Sequence, residues 1–262
     1  MRAIAIMNNK GGVGKTVTAI NLADILVRDH GKRVVLVDCD GQANLTRFFA
    51  PCMDADPGEA VTTADILTGD CEPIWSDNLL PVREGLALLP GSSGLYDLDV
   101  DAIKDGVSAP ENLRHFSESA REDGETDFML FDCPPGYTVA SVAALLAADE
   151  VVIPVTADAF SIAGVMAVWK QLRTIQRTRP GLRATALLTQ TRRADVVTAG
   201  EEMLRNLGVP VFEAKIRRTD KVPESTMSLS PLAEYSPGSA AARDYRIWVR
   251  ELLMMGGMIR GR

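Results

Sequence analysis

The run Met7-Asn8-Asn9-Lys10-Gly11-Gly12-Val13-Gly14-Lys15-Thr16 constrains the fold more than any other stretch. A short apolar segment, Ala3-Ile4-Ala5-Ile6, precedes it, and a helical pattern over residues 19–26 follows. Strand, glycine-rich turn and helix, in that order, form the setting of a phosphate-binding loop. The glycines let the backbone close around an anion with its N–H groups pointing inward. A helix beginning near Lys15 adds the positive end of its dipole. The Lys15 ammonium can reach outer phosphates, and the Thr16 hydroxyl can ligate Mg2+.

The rest of the chain keeps the same alternation. Periodicity predicts a strand over 2–7, a helix over 15–29 ended by Gly31, and a strand over 33–37. That second strand is continuously apolar, the type buried on both faces of a parallel sheet. It ends in Asp38-Cys39-Asp40-Gly41-Gln42-Ala43-Asn44-Leu45-Thr46. Carboxylates at the carboxyl end of a parallel strand lie where open α/β sheets bind ligands. Residues 50–84 are irregular apart from a short Thr-capped helix over 63–67. A strand over 86–90 is closed by residues 91–94. A helix over 110–122 starts at Pro110, with Leu113 and Phe116 inward. A buried strand over 128–131 runs into Asp132-Cys133-Pro134-Pro135-Gly136. Helices over 139–148, 161–178, 196–207 and 239–255 interleave with strands over 150–155, 183–189 and 211–216. This is the pattern of an α/β, doubly wound, mostly parallel sheet with helices on both faces. With no visible linker, residues 1–262 read as a single domain.

Composition narrows the function classes. The chain is 46% hydrophobic and 24% charged, as soluble globular proteins are. No apolar stretch approaches the roughly 18–20 residues of a membrane span, and no signal peptide is visible. Cys39, Cys52, Cys71 and Cys133 show no CxxC or metal spacing, which fits buried thiols in a reducing cytoplasm. Net charge is −7, but residues 1–131 carry 11 Lys and Arg against 22 Asp and Glu. From Lys170 onward the count is 17 against 9. An acidic half joined to a basic last third points to an anionic partner for the latter.

The loop departs from the usual Walker pattern, because Asn9 stands at its first glycine and Lys10 follows. Lys-Gly-Gly-Val-Gly-Lys-Thr resembles the deviant Walker A motif of the ParA/MinD superfamily of P-loop ATPases, and the chain is identified as similar to its ParA branch. The resemblance implies ATP/ADP and Mg2+ as cofactors, with Lys10, Gly11, Gly12, Val13, Gly14, Lys15, Thr16 and Val17 on the nucleotide. It implies that Lys10 crosses an ATP-dependent homodimer to the partner's nucleotide. Asp132 matches the Walker B aspartate and would hold a metal-bound water. Asp38 and Asp40 match the Asp-x-Asp-x-Gln segment. Asp38 would support the magnesium shell, and Asp40 would position or deprotonate the attacking water. Two residues apart, the pair would share one face of an extended strand; the alternative use is capping a helix. Gly41 replaces the family's usual proline and loosens that loop. Pro154 and Phe160 match the fourth-strand loop. Ile216-Arg217-Arg218 sits where the family has Ile-Pro-Arg-Asn, which makes Arg218 a nucleotide contact and leaves the adenine contacts open.

ParA-like proteins of this size bind double-stranded DNA non-specifically as the ATP dimer. Arg192, Arg193, Arg217, Arg218, Lys221, Arg243, Arg246 and Arg250 are the candidates here. Spacings of three and four put the last three on one helix face. Such contacts address phosphates and weaken with salt. The resemblance implies weak ATP hydrolysis stimulated by a ParB-like or adaptor protein, in a cytoplasmic, nucleoid-associated protein that partitions plasmids or chromosomes. Positioning of a protein organelle, such as a carboxysome or chemosensory cluster, is the alternative. A MinD-like membrane switch would need a C-terminal amphipathic helix. The apolar run over 252–260 is broken by Gly256-Gly257, and Tyr245, Trp248, Leu252 and Met255 form a core-facing stripe. A cluster-bearing reductase or a metal chaperone would need cysteines that are absent. No helix-turn-helix precedes the loop, so operator-specific binding is not expected.

Overall fold

The computed structural model describes residues 1–53, 56–57, 59–105 and 110–257; the side chain of Phe160 and residues 258–262 lie outside the described residues. In chain order the elements are β1 (Arg2–Ile6), α1 (Lys15–His30), β2 (Val34–Asp38), α2 (Asn44–Phe49), α3 (Thr63–Thr68), β3 (Leu80–Arg83), β4 (Leu86–Leu89), α4 (Gly94–Asp105) and α5 (Glu111–Asp123). They continue with β5 (Phe128–Asp132), α6 (Val139–Ala147), β6 (Glu150–Thr156), α7 (Ala159–Ile175), β7 (Arg183–Thr189), α8 (Ala194–Asn206), α9 (Lys221–Met227), α10 (Leu232–Tyr235) and α11 (Ala240–Met255).

The strands form one sheet in the order β3-β4-β2-β5-β1-β6-β7, parallel throughout except for β3. Alternate side chains feed two cores. Ala3, Ala5, Val35, Val37, Met129 and Phe131 face one cluster, with Phe116 of α5 and Val165 of α7. Ile4, Ile6, Val34, Leu36, Phe128 and Leu130 face the other, with Leu22 of α1 and Trp248 of α11. Both faces are therefore covered, which is why these strands are apolar at every position. At the amino-terminal ends of the inner strands, Arg2 bonds Glu150 at 2.6 Å and the Leu252 carbonyl at 3.1 Å, tying β1 and β6 to α11. Arg183 bonds the same Glu150 oxygen.

The expected 211–216 strand is not a strand. Isolated bridges, Ala186 to Val211 and Thr191 to Arg217, and single bonds such as the Ile216 N–H to the Leu188 carbonyl at 2.9 Å join this segment to the β7 region without forming a ladder. The Glu251 carboxylate on α11 takes the Glu213 and Ala214 N–H groups at 2.8 and 2.9 Å, which removes them from any ladder. The short Thr-capped helix expected over 63–67 is α3, with Thr62 as its cap residue and the Asp65 carboxylate accepting the Thr62 N–H at 2.7 Å. β3, α4, α9 and α10 were not anticipated. β3 alternates buried Leu80 and Val82 with exposed Pro81, a residue that only an edge strand tolerates.

Candidate phosphate-binding site

The loop between β1 and α1 is built by two glycines that only achiral backbone serves comfortably: Gly12 has φ 74° and Gly14 φ 90°. Its shape is held from β7 and the residue after it. The Thr189 hydroxyl donates to the Val13 carbonyl at 2.9 Å, and Gln190 Nε2 to the Gly12 carbonyl at 2.6 Å. Lys15 is 7% exposed, and its ammonium donates to the Lys10 carbonyl at 3.1 Å. Burial lowers its pKa, against the pull of Asp132, Cys133 and Asp40. Lys15 is thus a cation held among carboxylates at the mouth of a helix.

Asp38 and Asp132 end adjacent parallel strands and pair in register. Asp132 is 1% exposed, and neither of its oxygens reaches hydrogen-bonding geometry with any donor among the described residues. Burial pushes its carboxyl well above the ordinary range, and Asp38 adds to the rise. The Thr16 hydroxyl and Lys15 lean the other way without cancelling it. Two orphaned hard oxygens beside a hydroxyl fit a water-bearing Mg2+ better than a soft metal. Among the described residues no group of three or more His, Cys, Asp or Glu could hold a metal by itself. A cation here would complete its shell with water and phosphate oxygen.

Asp38 is otherwise engaged. Its Oδ2 accepts the Thr46 N–H at 2.9 Å and the Thr46 hydroxyl at 2.7 Å, while Oδ1 accepts the Asp40 N–H at 3.2 Å. Burial pushes it up to about 6, against those bonds. It serves the first turn of α2, the helix-capping use weighed from sequence. The two aspartates do not share a strand face, because β2 stops at Asp38. Asp40 lies beyond it in a turn, with Oδ1 accepting the Gln42 N–H at 2.9 Å, and it faces the loop across the cavity.

Lys10 folds back onto its own chain. Its Nζ lies 2.6 Å from the Ser161 hydroxyl and 3.3 Å from Asp158 Oδ1. Asp158 also caps α7, accepting the Ser161 N–H at 2.9 Å. Burial alone would raise Asp158; the Ser161 and Thr156 hydroxyls, the Ser161 amide and Lys10 hold it well below the usual range. Sequence reasoning missed Asp158 and Ser161, although an aspartate three residues before a serine at a helix start is a readable cap.

The loop and Asp40 open on a cavity of about 600 Å³, with Asp38 and Asp132 buried outside its lining. Its far wall comes from Arg217, Arg218, Thr219, Val222 and Pro223, with Tyr245 of α11. Lys10 is absent from this lining, whereas Gly11 to Val17 and Arg218 are present. Several of the eight basic candidates are already paired: Arg217 with Asp244 at 2.6 Å, Lys221 with Glu224 at 2.6 Å, and Arg246 with Asp29 at 2.7 Å. Arg193 lies 3.8 Å from Asp195, and Arg243 donates to the Gly238 carbonyl. Among the described residues Arg192, Arg218 and Arg250 enter no ion pair. In α11, Tyr245, Trp248 and Leu252 face the core as expected, but Met255 is 51% exposed and Leu253 is buried in its place. No helix of the described residues is long and apolar enough to cross a membrane.

A sequence profile described as an AAA domain matches residues 1–184. The chain is 29% identical over 260 residues to the chromosome partitioning protein ParA of Caulobacter vibrioides, covering 97% of this chain and 94% of that protein. It is 34% identical over 259 residues to the chromosome-partitioning ATPase Soj of Thermus thermophilus, covering 97% of this chain and 96% of that one. The chain belongs to the ParA family. Among solved structures, this ParA-family chain is similar to the septum site-determining protein MinD of Pyrococcus horikoshii complexed with Mg-ADP. The TM-score is 0.77 at 25% identity, over 98% of each chain. The doubly wound P-loop architecture expected from the ParA resemblance is therefore the one present.

Proposed function

We propose that this ParA-family chain is an ATP-dependent dimerising ATPase switch that binds double-stranded DNA non-specifically and partitions or positions cargo. The observation that carries the reading is the joint placement of Lys15, Asp132 and Asp40 around one glycine-rich loop. The loop N–H groups and Lys15 take the phosphates, and Arg218 and Val222 on the far wall take the nucleoside end. Thr16, and Asp132 through a water, would hold Mg2+, which when bound neutralises phosphate charge. Asp40 orients a water towards the γ-phosphorus and receives its proton as ATP becomes ADP and phosphate. Asp38 acts from behind, fixing the turn that carries Asp40.

Lys10 supplies the dimer. Two triphosphates between two copies concentrate negative charge, and a lysine from each side offsets it. Loss of the γ-phosphate removes a reason to stay together. The dimer brings together the basic surfaces of the last third of each chain, and a ParB-like or adaptor protein accelerates turnover. The names of the ParA and Soj relatives favour chromosome or plasmid partition, in a cytoplasmic, nucleoid-associated protein, over positioning of a protein assembly.

Co-sedimentation with random-sequence duplex DNA tests this. Retention is expected with ATP and Mg2+, not with ADP, and it should fall steeply as salt rises. Equal retention with either nucleotide, or binding only to anionic liposomes, would refute the reading.

A further inference from the structure

We propose that α4 is a brace that sets the Asp40 turn against the loop following Asp132, with Tyr96 and Asp99 as its two positioning residues. Asp40 lies past the end of β2, so no sheet hydrogen bond fixes it. Beside the Asp38 carboxylate, which accepts the Asp40 N–H at 3.2 Å, its support comes from the β4–α4 region. Gln42, whose N–H binds Asp40 Oδ1, donates through Nε2 to the Tyr96 hydroxyl at 2.5 Å. The Tyr96 ring lies directly on Gly41: a Cβ at that position would sit 2.8 Å from ring atoms Cε2 and Cζ. The absent side chain at Gly41 is therefore matched by an aromatic ring supplied from α4. Gly91, before α4, is wedged in the same way, since a Cβ there would meet Asp38 Cγ at 2.9 Å and the Asp40 carbonyl at 3.0 Å.

Three residues along α4, on the same face, Asp99 Oδ1 accepts the Val139 N–H at 2.7 Å. Val139 is the first residue of α6 and terminates the loop that starts at Asp132. One turn of one helix thus touches both catalytic loops. Misplacement of a water-orienting carboxylate by about 1 Å can cost on the order of a hundredfold in rate, so such a brace bears on turnover rather than on nucleotide affinity. Tyr96 is 43% exposed, so its removal leaves no buried cavity.

The proposal rests on the hydrolytic reading for its rate arm but not for its structural arm. Hydrogen-exchange mass spectrometry of the nucleotide-free protein comes first. Tyr96→Ala and Gly41→Ala should each accelerate exchange over residues 40–46 by about fivefold or more, and Asp99→Ala should do so over 137–142. Asp99→Asn should restore protection, because a carboxamide oxygen still accepts the Val139 N–H. In steady-state ATP hydrolysis, Tyr96→Ala and Gly41→Ala should each lower kcat about tenfold with KM within about twofold. Tyr96→Phe, which keeps the ring and loses the hydroxyl, should fall between. The double variant Gly41→Ala/Tyr96→Ala should be no slower than either single one, since both break the same contact. Unchanged exchange over 40–46 in Tyr96→Ala, or losses that multiply in the double variant, would overturn the brace. A wild-type protein that hydrolyses no ATP would sink the proposed function, while the exchange data would still decide this point.

Discussion

Lys10 is paired within its own chain to Asp158, Nζ to Oδ1 at 3.3 Å, with side chains 41% and 44% exposed. An ion pair this open to water is worth only about 0.2–1 kcal/mol. The lysine is therefore held only weakly, and in the proposed dimer a triphosphate from a second copy would displace it from the aspartate.

Asp158→Asn should release Lys10 without unfolding α7, because asparagine caps a helix as well as aspartate does. The dimer fraction at sub-saturating ATP should rise, by up to about fivefold for 1 kcal/mol. Lys10→Ala should abolish the dimer. Sedimentation velocity with ATP and Mg2+ reads both, and an Asp158→Asn protein that dimerises less well than wild type would contradict that displacement.

Lys15 and Asp40 should fail in different ways. Lys15→Ala removes a charge-assisted phosphate contact of about 1.5–3 kcal/mol, which is roughly a 10- to 150-fold loss of nucleotide affinity by calorimetry. Asp40→Ala should leave affinity nearly unchanged and cut turnover by about 10²–10⁴-fold.

Asp132 carries a stability cost that its function would explain. Both of its oxygens are buried, and neither has a hydrogen-bond partner in good geometry among the described residues. Asp132→Asn should therefore raise the Tm of the nucleotide-free protein, by about 2–4 °C for each kcal/mol recovered. Its folded pKa is raised, so the native state binds the extra proton; the wild-type penalty grows as pH rises through that pKa. The stabilising effect of Asp132→Asn should accordingly be larger at higher pH. Added Mg2+ and nucleotide should stabilise the wild type more than the variant. Differential scanning fluorimetry at two pH values measures all three effects.

The basic residues should divide by their partners. Among the described residues Arg192 and Arg250 enter no ion pair and line no nucleotide cavity, and replacing either by alanine should reduce the salt slope of DNA binding by about 1. Arg217→Ala should instead lower Tm, because it strips the buried Asp244 carboxylate of its partner. An Arg217 variant of unchanged stability would reassign that residue to the DNA surface.

The phosphate loop, the two buried carboxylate strands and the order of alternation were legible because each is local. Gly12 and Gly14 dictate a turn whatever surrounds them, and a strand such as Val34–Asp38 is apolar at every position because both faces are covered. What was illegible depends on distant partners. The segment around Glu213 has strand composition, yet Glu251, far along the chain, takes its N–H groups. Gly41 suggested a looser turn, whereas Tyr96 fills the space above it. Asp40 was placed on the strand face of Asp38 because spacing alone cannot show where a strand stops.

β1 is an inner strand of the sheet, with Arg2 opposite Phe128 of β5 on one side and Ile4 opposite Glu150 of β6 on the other. During synthesis, then, the first strand leaves the ribosome with neither neighbour yet made. Until the second half of the chain has been translated, an apolar segment and its glycine turn must wait unpaired, exposed to mispairing and to chaperones. The stretch whose purpose is plainest in the sequence is thus among the last to acquire its shape.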